Sequence, residues 1–310
     1  MQIAYLLLVH NQPNHFARLI RALNAPWAHF FVYVDKKADI AEFLLRVPET
    51  ANVHYVCDRK CVFWGGFNLV RATLKLLEDS LSYGIPFKYH VLLSGSDYPI
   101  KNNHFIYETL NCSSSQHIWI DNELLLLRPE RVSRYWFNDN FFLNERVDLY
   151  IKPEILKRLA PKIRRRIQSF LLLFGERRPP CFRHYIGSQW WALTGNCVKY
   201  IMEFLREHKE YVEFHKYSSA PDEFFFHSII KASSFLNAID HSERYCSPNQ
   251  AAFHYREWSL TEYYLPKILI EEDQNNLIST NALFARKFDE VKSAKLLDSI
   301  DRQILKRETK

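Results

Sequence analysis

An α/β fold in a single domain, opening as a Rossmann-like half, is predicted by three features of this 310-residue sequence. Residues 1–120 alternate short apolar runs with amphipathic stretches of helical period, the pattern of successive βα units. The apolar runs are continuous, as strands covered on both faces should be. Hydrophobic residues make up 47% of the chain, enough for a large core, and no repeat or low-complexity tract marks a domain boundary.

The elements follow in order. Ile3 to Val9 is apolar throughout, and Phe30 to Val34, Val53 to Val56 and His90 to Leu93 repeat that character as further strands. Between them Pro13 to Leu23, Ala38 to Val47 and Phe67 to Leu81 carry apolar residues at helical spacing, such as Leu69, Ala72, Leu76 and Leu77. Gln116 to Ile120 reads as another strand. From Arg128 to Lys152 the periodicity fades among aromatic and charged residues, which predicts loops or short strands. Pro153 to Phe174 reads as a basic helix open to interruption at Pro161, ended by the loop Arg177-Arg178-Pro179-Pro180. Ile186 to Thr194 returns as a strand, Val198 to His208 as a helix, and Ala220-Pro221-Asp222-Glu223 opens another helix with proline in its first turn. Disorder is expected only in about the last ten residues.

Composition narrows the function. Lys and Arg number 41 against 35 Asp and Glu, a mild excess that does not point to nucleic acid. Cys57, Cys61, Cys112, Cys181, Cys197 and Cys246 follow no disulfide or zinc spacing and read as reduced thiols. The opening apolar run is strand length and lacks the flanks of a signal peptide, so a cytoplasmic chain without a membrane-spanning helix is expected. With only 7 glycines, the chain contains no GxGxxG, GxxxxGK[ST], GxSxG or HExxH, which argues against dinucleotide enzymes, P-loop phosphotransferases, serine hydrolases and zincins. What remains is a nucleotide-fold half without a glycine phosphate cradle, a gap that suits sugar-nucleotide transferases.

Ligands of such sheets bind beyond the carboxyl ends of the strands, here Val9-His10-Asn11, Val34-Asp35-Lys36-Lys37 and Ser94-Gly95-Ser96-Asp97-Tyr98-Pro99-Ile100. Asp35 is placed either to accept hydrogen bonds from a ribose or base edge or to serve as a strand-end turn residue; Asp97 is placed for a similar role or for a turn and cap. Ser219, Asp222 and Glu223 suit a helix cap, and Asp222 and Glu223 complement its dipole. Asp121-Asn122-Glu123, after the apolar Ile118-Trp119-Ile120, offers hard oxygen ligands by which a divalent ion would bridge to a diphosphate.

Seven short strings in order, Val9-His10-Asn11, Val34-Asp35-Lys36, Trp64-Gly65-Gly66, Leu93 through Ile100, Gly187-Ser188-Gln189-Trp190, Pro221-Asp222-Glu223 and Leu283 through Phe288, resemble the core-2/I-branching β-1,6-N-acetylglucosaminyltransferases and the related peptide O-xylosyltransferases. The resemblance implies a GT-A-type fold with a mixed central sheet, residues 1–120 forming the nucleotide-binding half and 121–310 the acceptor and catalytic half. It also implies an inverting transfer from a UDP-sugar without a metal cofactor. Glu223 matches the catalytic base, and Arg256 and Lys287 match the cations that hold the diphosphate. Trp64 matches an aromatic beside the nucleotide, and Val9, His10, Asp35, Gly65 and Asp97 are assigned to the same nucleotide and diphosphate site. Ser188, Gln189 and Trp190, with Asp222, are assigned to the donor sugar and acceptor. Gln189 stands where the xylosyltransferases carry an acidic residue, which favours N-acetylglucosamine over xylose or glucose as the donor sugar.

The expected acceptor is a glycan or lipid-linked saccharide, and the chain is expected to be a bacterial cytoplasmic member, peripheral on the inner membrane face. Residues 155–174, basic and then strongly apolar, predict that membrane contact, unless the segment only packs on the domain with a solvated basic face.

Overall fold

A computed structural model describes residues 1–178, 183–241, 249–258 and 266–304. Pro179, Pro180, Cys181, Cys246, the side chain of Glu123 and the tail from residue 305 lie outside the described residues. The first half contains β1 (Ile3–Val9), α1 (Pro13–Leu23), β2 (Ala28–Val34), α2 (Ile40–Arg46), β3 (Val53–Tyr55), α3 (Phe67–Ser82), β4 (Tyr89–Ser94), β5 (Asp97–Pro99) and α4 (Asn103–Asn111). There follow β6 (Ile120–Glu123), α5 (Leu124–Leu127), α6 (Glu130–Ser133), α7 (Glu154–Leu172), β7 (Tyr185–Gly187), β8 (Ala192–Thr194), α8 (Gly195–Glu207), α9 (Lys209–His215) and α10 (Phe225–Lys231). The chain closes with β9 (Gln250–Ala251), β10 (His254–Arg256), α11 (Gln274–Ser279), β11 (Phe284–Arg286) and α12 (Ala294–Ile304).

The main sheet has the order β3-β2-β1-β4-β8, parallel except for β8. Alternation along β1 explains its unbroken apolar run. Ile3, Tyr5, Leu7 and Val9 join a core with α1, α4 and α12, whereas Ala4, Leu6 and Leu8 join a second core with α3, α8 and α10. Strand order reverses at β1, because β2 lies on one side and β4 on the other, so their carboxyl ends open a crevice. A second sheet, β5-β11-β10-β9, is mixed and abuts that crevice through β5.

Four expectations change. Gln116 to Ile120 is not a strand; Gln116 and His117 make single bridges to Ile239 and Ala192, and the strand starts at Ile120. Ile186 to Thr194 divides in two, because β7 pairs with β6 whereas β8 pairs with β4, and the chain must change sheets at residues 188–191. Residues 128–152 contain helical turns and no strand. Helix α7 runs unbroken through Pro161, which removes one bond to the Lys157 carbonyl while the ladder continues on either side.

The pairing of β6 with β7 brings backbone very close to Gly187. A Cβ there would lie 2.0 Å from the Trp119 carbonyl oxygen and 2.5 Å from His227 Cδ2. Gly187→Ala should therefore destabilise the fold by about 1–3 kcal/mol, the cost of overpacking, read as a lower denaturation midpoint. An unchanged midpoint would show that the two strands do not approach so closely.

Candidate active site

The turn Ser94-Gly95-Ser96-Asp97 leads from β4 into β5. Gly95 lets it press on β1, since a Cβ there would stand 3.0 Å from Val9 Cγ1. Val9 is itself buried, and its carbonyl accepts the Asp35 N–H at 2.8 Å. Asp97 is fully buried; its carboxylate accepts the Ser94 N–H at 2.7 Å and the Ser94 hydroxyl at 2.8 Å. Arg286 Nε lies 3.3 Å from the same carboxylate and His254 Nε2 3.7 Å. Burial raises the pKa of Asp97, opposed first by Arg286. The Arg286 guanidinium also lies 4.3 Å from the ring centroid of Trp190, which is buried. Asp97 and Trp190 thus both hold Arg286, and neither lines the cavity that contains Glu223.

Parallel pairing of β10 with β11 sets Arg256 beside Arg286, so the two side chains project to one face. Arg256 reaches a cavity of about 600 Å³, with its Cζ 4.9 Å from the Trp258 ring centroid. Its Nε has no hydrogen-bond partner among the described residues. Burial lowers the pKa of Arg256, helped by Arg286 and opposed by Glu223.

Glu223 lines the same cavity, with its side chain 42% exposed. It ends a 3₁₀ turn, Pro221–Glu223, rather than opening α10 directly; Phe224 breaks the helical path at φ −146°. Ala220, just before the turn, is left-handed at φ 47°, a strained setting for a residue with a Cβ. Its N–H donates to the Gly65 carbonyl at 2.8 Å. Arg131 closes the loop, donating to the carbonyls of Ser219 at 3.0 Å and Ala220 at 2.7 Å and to Glu223 Oε2 at 2.9 Å. Asp222 Oδ1 is buried without a hydrogen-bond partner among the described residues. Its pKa is pushed up to about 7, by burial and then by the charge of Glu223.

The rim comes from Trp64-Gly65-Gly66. Trp64 is 38% exposed, so its ring is a cavity wall and not core, with the Arg146 guanidinium 5.7 Å from its centroid. Gly65 adopts φ +66° and presents its carbonyl to Asn138 as well as to Ala220. At Gly66 a Cβ would meet Asp139 Oδ1 at 2.3 Å, because that carboxylate crosses from another loop to cap α3 through Asn68 N–H at 2.9 Å.

Asp35 binds inward. Its carboxylate accepts the N–H groups of Lys37 at 2.9 Å and Val62 at 3.3 Å and pairs with Lys37 Nζ at 2.6 Å, tying β2 to the loop that carries Trp64. His10 lies at the tip of β1 with part of its surface exposed; desolvation of its ring, followed by the charge of Lys287, lowers its pKa. The charge of Lys287, which directly follows β11, also acts to lower the pKa of Asp97. Ser188 is buried, its carbonyl taking His227 Nε2 at 2.8 Å, and Gln189 Nε2 has no partner among the described residues. Asp121 is exposed on the cavity wall, and among the described residues no three His, Cys, Asp or Glu side chains converge.

The structure thus brings Glu223, Arg256 and Trp64 into one cavity and sets His10, Asp35 and Lys287 at the adjoining strand ends. Arg131, Glu145 and Trp258 complete the cavity without having been singled out in the sequence. Arg131 sits in the aperiodic stretch 128–152, where nothing local marks it. A cleft of similar volume at the opposite end of β4 contains His90, whose pKa burial pushes down to about 3, and no carboxylate.

The family model described as core-2/I-branching enzyme matches residues 3–278. Xylosyltransferase 2 of Homo sapiens is 25% identical over 322 residues, covering 97% of this chain and 33% of that protein. A β-1,3-galactosyl-O-glycosyl-glycoprotein β-1,6-N-acetylglucosaminyltransferase 4 of Danio rerio is 23% identical over 86% of this chain and 58% of its own length. An N-acetyllactosaminide β-1,6-N-acetylglucosaminyltransferase of Mus musculus is 32% identical over 35% of this chain and 28% of its own. The chain spans about a third of the xylosyltransferase it matches.

The buried carboxyl of Asp222 generates a pH prediction. Its folded pKa of about 7 exceeds the ordinary 3.8, so between those values the folded chain binds more protons than the unfolded one and stability falls as pH rises. Asp222→Asn should remove that slope. Its melting temperature relative to the parent should rise from about pH 4 to about pH 7, and parallel profiles would show that Asp222 titrates normally.

Proposed function

Because the chain belongs to the core-2/I-branching enzyme family, we propose that it is an inverting glycosyltransferase that moves a sugar from a UDP-sugar to a hydroxyl of a glycan or lipid-linked acceptor. The observation that carries this reading is the placing of Glu223 and Arg256 in one cavity with Trp64 on its rim. Arg131 holds Glu223 by Oε2 and the carboxylate remains accessible, which suits it to take the proton of an incoming hydroxyl. The acceptor oxygen then bonds to the anomeric carbon as the bond from that carbon to the diphosphate breaks. The electron pair leaves with UDP, and a single displacement inverts the configuration.

Negative charge grows on the departing diphosphate, and cations already in place lower the barrier without reorganising. Arg256 lines the cavity with a buried Nε that no described residue engages, and Lys287 stands at the adjoining strand ends, so the two supply the charge that a divalent metal would supply. The ring of Trp64 suits stacking on uracil. Gln189, which stands where the related xylosyltransferases carry an acidic residue, favours N-acetylglucosamine as the sugar.

Glu223→Gln should keep UDP binding while turnover falls by roughly 10²–10⁴-fold. Near-normal turnover would remove Glu223 from the chemistry.

Arg256→Ala and Lys287→Ala should each lower turnover by about 10²–10³-fold, and less than additively when combined, since both act on one diphosphate. Excess chelator should leave turnover unchanged, and Asp121→Asn should retain most of it. Inhibition that Mn²⁺ reverses, with an inactive Asp121→Asn variant, would instead establish a metal-dependent mechanism centred on that exposed carboxylate.

A further inference from the structure

Helix α7 exposes more large apolar side chains than a helix that only packs on a domain. Such helices turn their apolar stripe to the core. Here the inward face carries Ala160, Arg164 and Gln168 together with the half-buried Ile163, Ile167 and Leu171. Ala160 packs near Val147 and Ile151, Arg164 donates to the Asn144 carbonyl at 2.8 Å, and Gln168 donates to the Tyr135 carbonyl at 3.0 Å. The outward face carries large apolar residues as well. Ile155 is 75% exposed, Leu159 44%, Phe170 59% and Leu173 80%.

Helical spacing sets these four on one line, with Lys162 and Arg166 between them and Arg158 and Arg165 along one border. All four basic residues are exposed. No helix among the described residues is long and apolar enough to cross a membrane. A second copy docked face to face about a two-fold axis would set these like charges against one another. An anionic bilayer answers both features, because the apolar line enters the boundary of headgroups and acyl chains while the cations meet lipid phosphates.

We propose that α7 is an interfacial helix that docks the protein on the surface of an anionic lipid bilayer. The inward face of the helix is joined to the cavity wall: the Asn144 whose carbonyl receives Arg164 also donates to the Trp64 carbonyl at 2.9 Å.

The test is flotation of the full-length protein with phosphatidylcholine vesicles, with and without phosphatidylglycerol, across a salt series. The protein should float only with phosphatidylglycerol vesicles and should be released as salt rises. The quadruple variant R158E, K162E, R165E and R166E should lose partition by at least about fivefold per basic residue removed, with an unchanged melting temperature. The variant I155S, L159S and F170S should lose binding as well. Should either variant fail to fold, the wild-type salt series decides. Absence of flotation, or equal flotation with neutral vesicles, overturns the proposal. So does a concentration-dependent dimer in sedimentation that I155S, L159S and F170S abolishes, because that places a second copy on the face.

Discussion

The pairing of Asp97 with Arg286 is the constraint on which the site depends. The two residues are register partners across β5 and β11, and their side chains meet at 3.3 Å with the carboxylate fully buried. Such a pair adds little net stability over an apolar substitute, yet removing one partner strands a buried charge and typically costs about 3–5 kcal/mol. Its effect is on register. A slip of one residue would turn Arg286 to the other face of the strand and separate it from both Asp97 and Trp190. Because β10 is aligned on β11, the same slip would carry Arg256 away from the cavity. One ion pair at the end of β4 thus fixes how the second sheet meets the first.

The opposite wall is built from loops, which need other means of definition. Arg131 gathers the carbonyls of Ser219 and Ala220 and the carboxylate of Glu223, so one planar fork sets both the backbone of the turn and the direction of its acid. The left-handed Ala220 is held by its hydrogen bond to Gly65, and Glu145 links Asn138 with Ser219 through contacts of 2.8 and 2.6 Å. Segments far apart in sequence, near residues 65, 131, 145 and 220, therefore form one polar network. Strain at Ala220 is tolerable because its neighbours leave the turn no other low-energy setting.

Much of the first half was legible because β1, α1, α3 and β4 are long and buried in a regular pattern, where period alone separates strand from helix. The second sheet was not, since β5, β9, β10 and β11 are two or three residues each and too short to show a period. The site residues divide similarly. Glu223, Arg256 and Trp64 could be placed by resemblance and do share a cavity, whereas Asp97 and Trp190, assigned to the same site, lie outside that cavity and hold Arg286. Sequence position cannot separate a residue that touches a ligand from one that holds such a residue in place. Asp35 shows the same ambiguity: its strand-end position suits a ribose, but its oxygens are engaged by Lys37 and the Val62 N–H.

Matching charges within the site leads to the last step. Asp97 is opposed by Arg286, Asp35 by Lys37 and Glu223 by Arg131, so each of these carboxylates has a cation supplied by the fold. Asp222 adds less than a full charge near neutral pH, because burial favours its protonated form. Arg256 lines the cavity and has a buried nitrogen that no described residue engages, and burial makes its solvation incomplete. Such a group gains most from an anion that brings its own oxygen acceptors, and a diphosphate bears them in the bidentate spacing a guanidinium fits. Arg256 shares its cavity with the carboxylate best placed to take a proton, the arrangement a displacement needs when one end of the reaction gathers negative charge as the other gives up a proton.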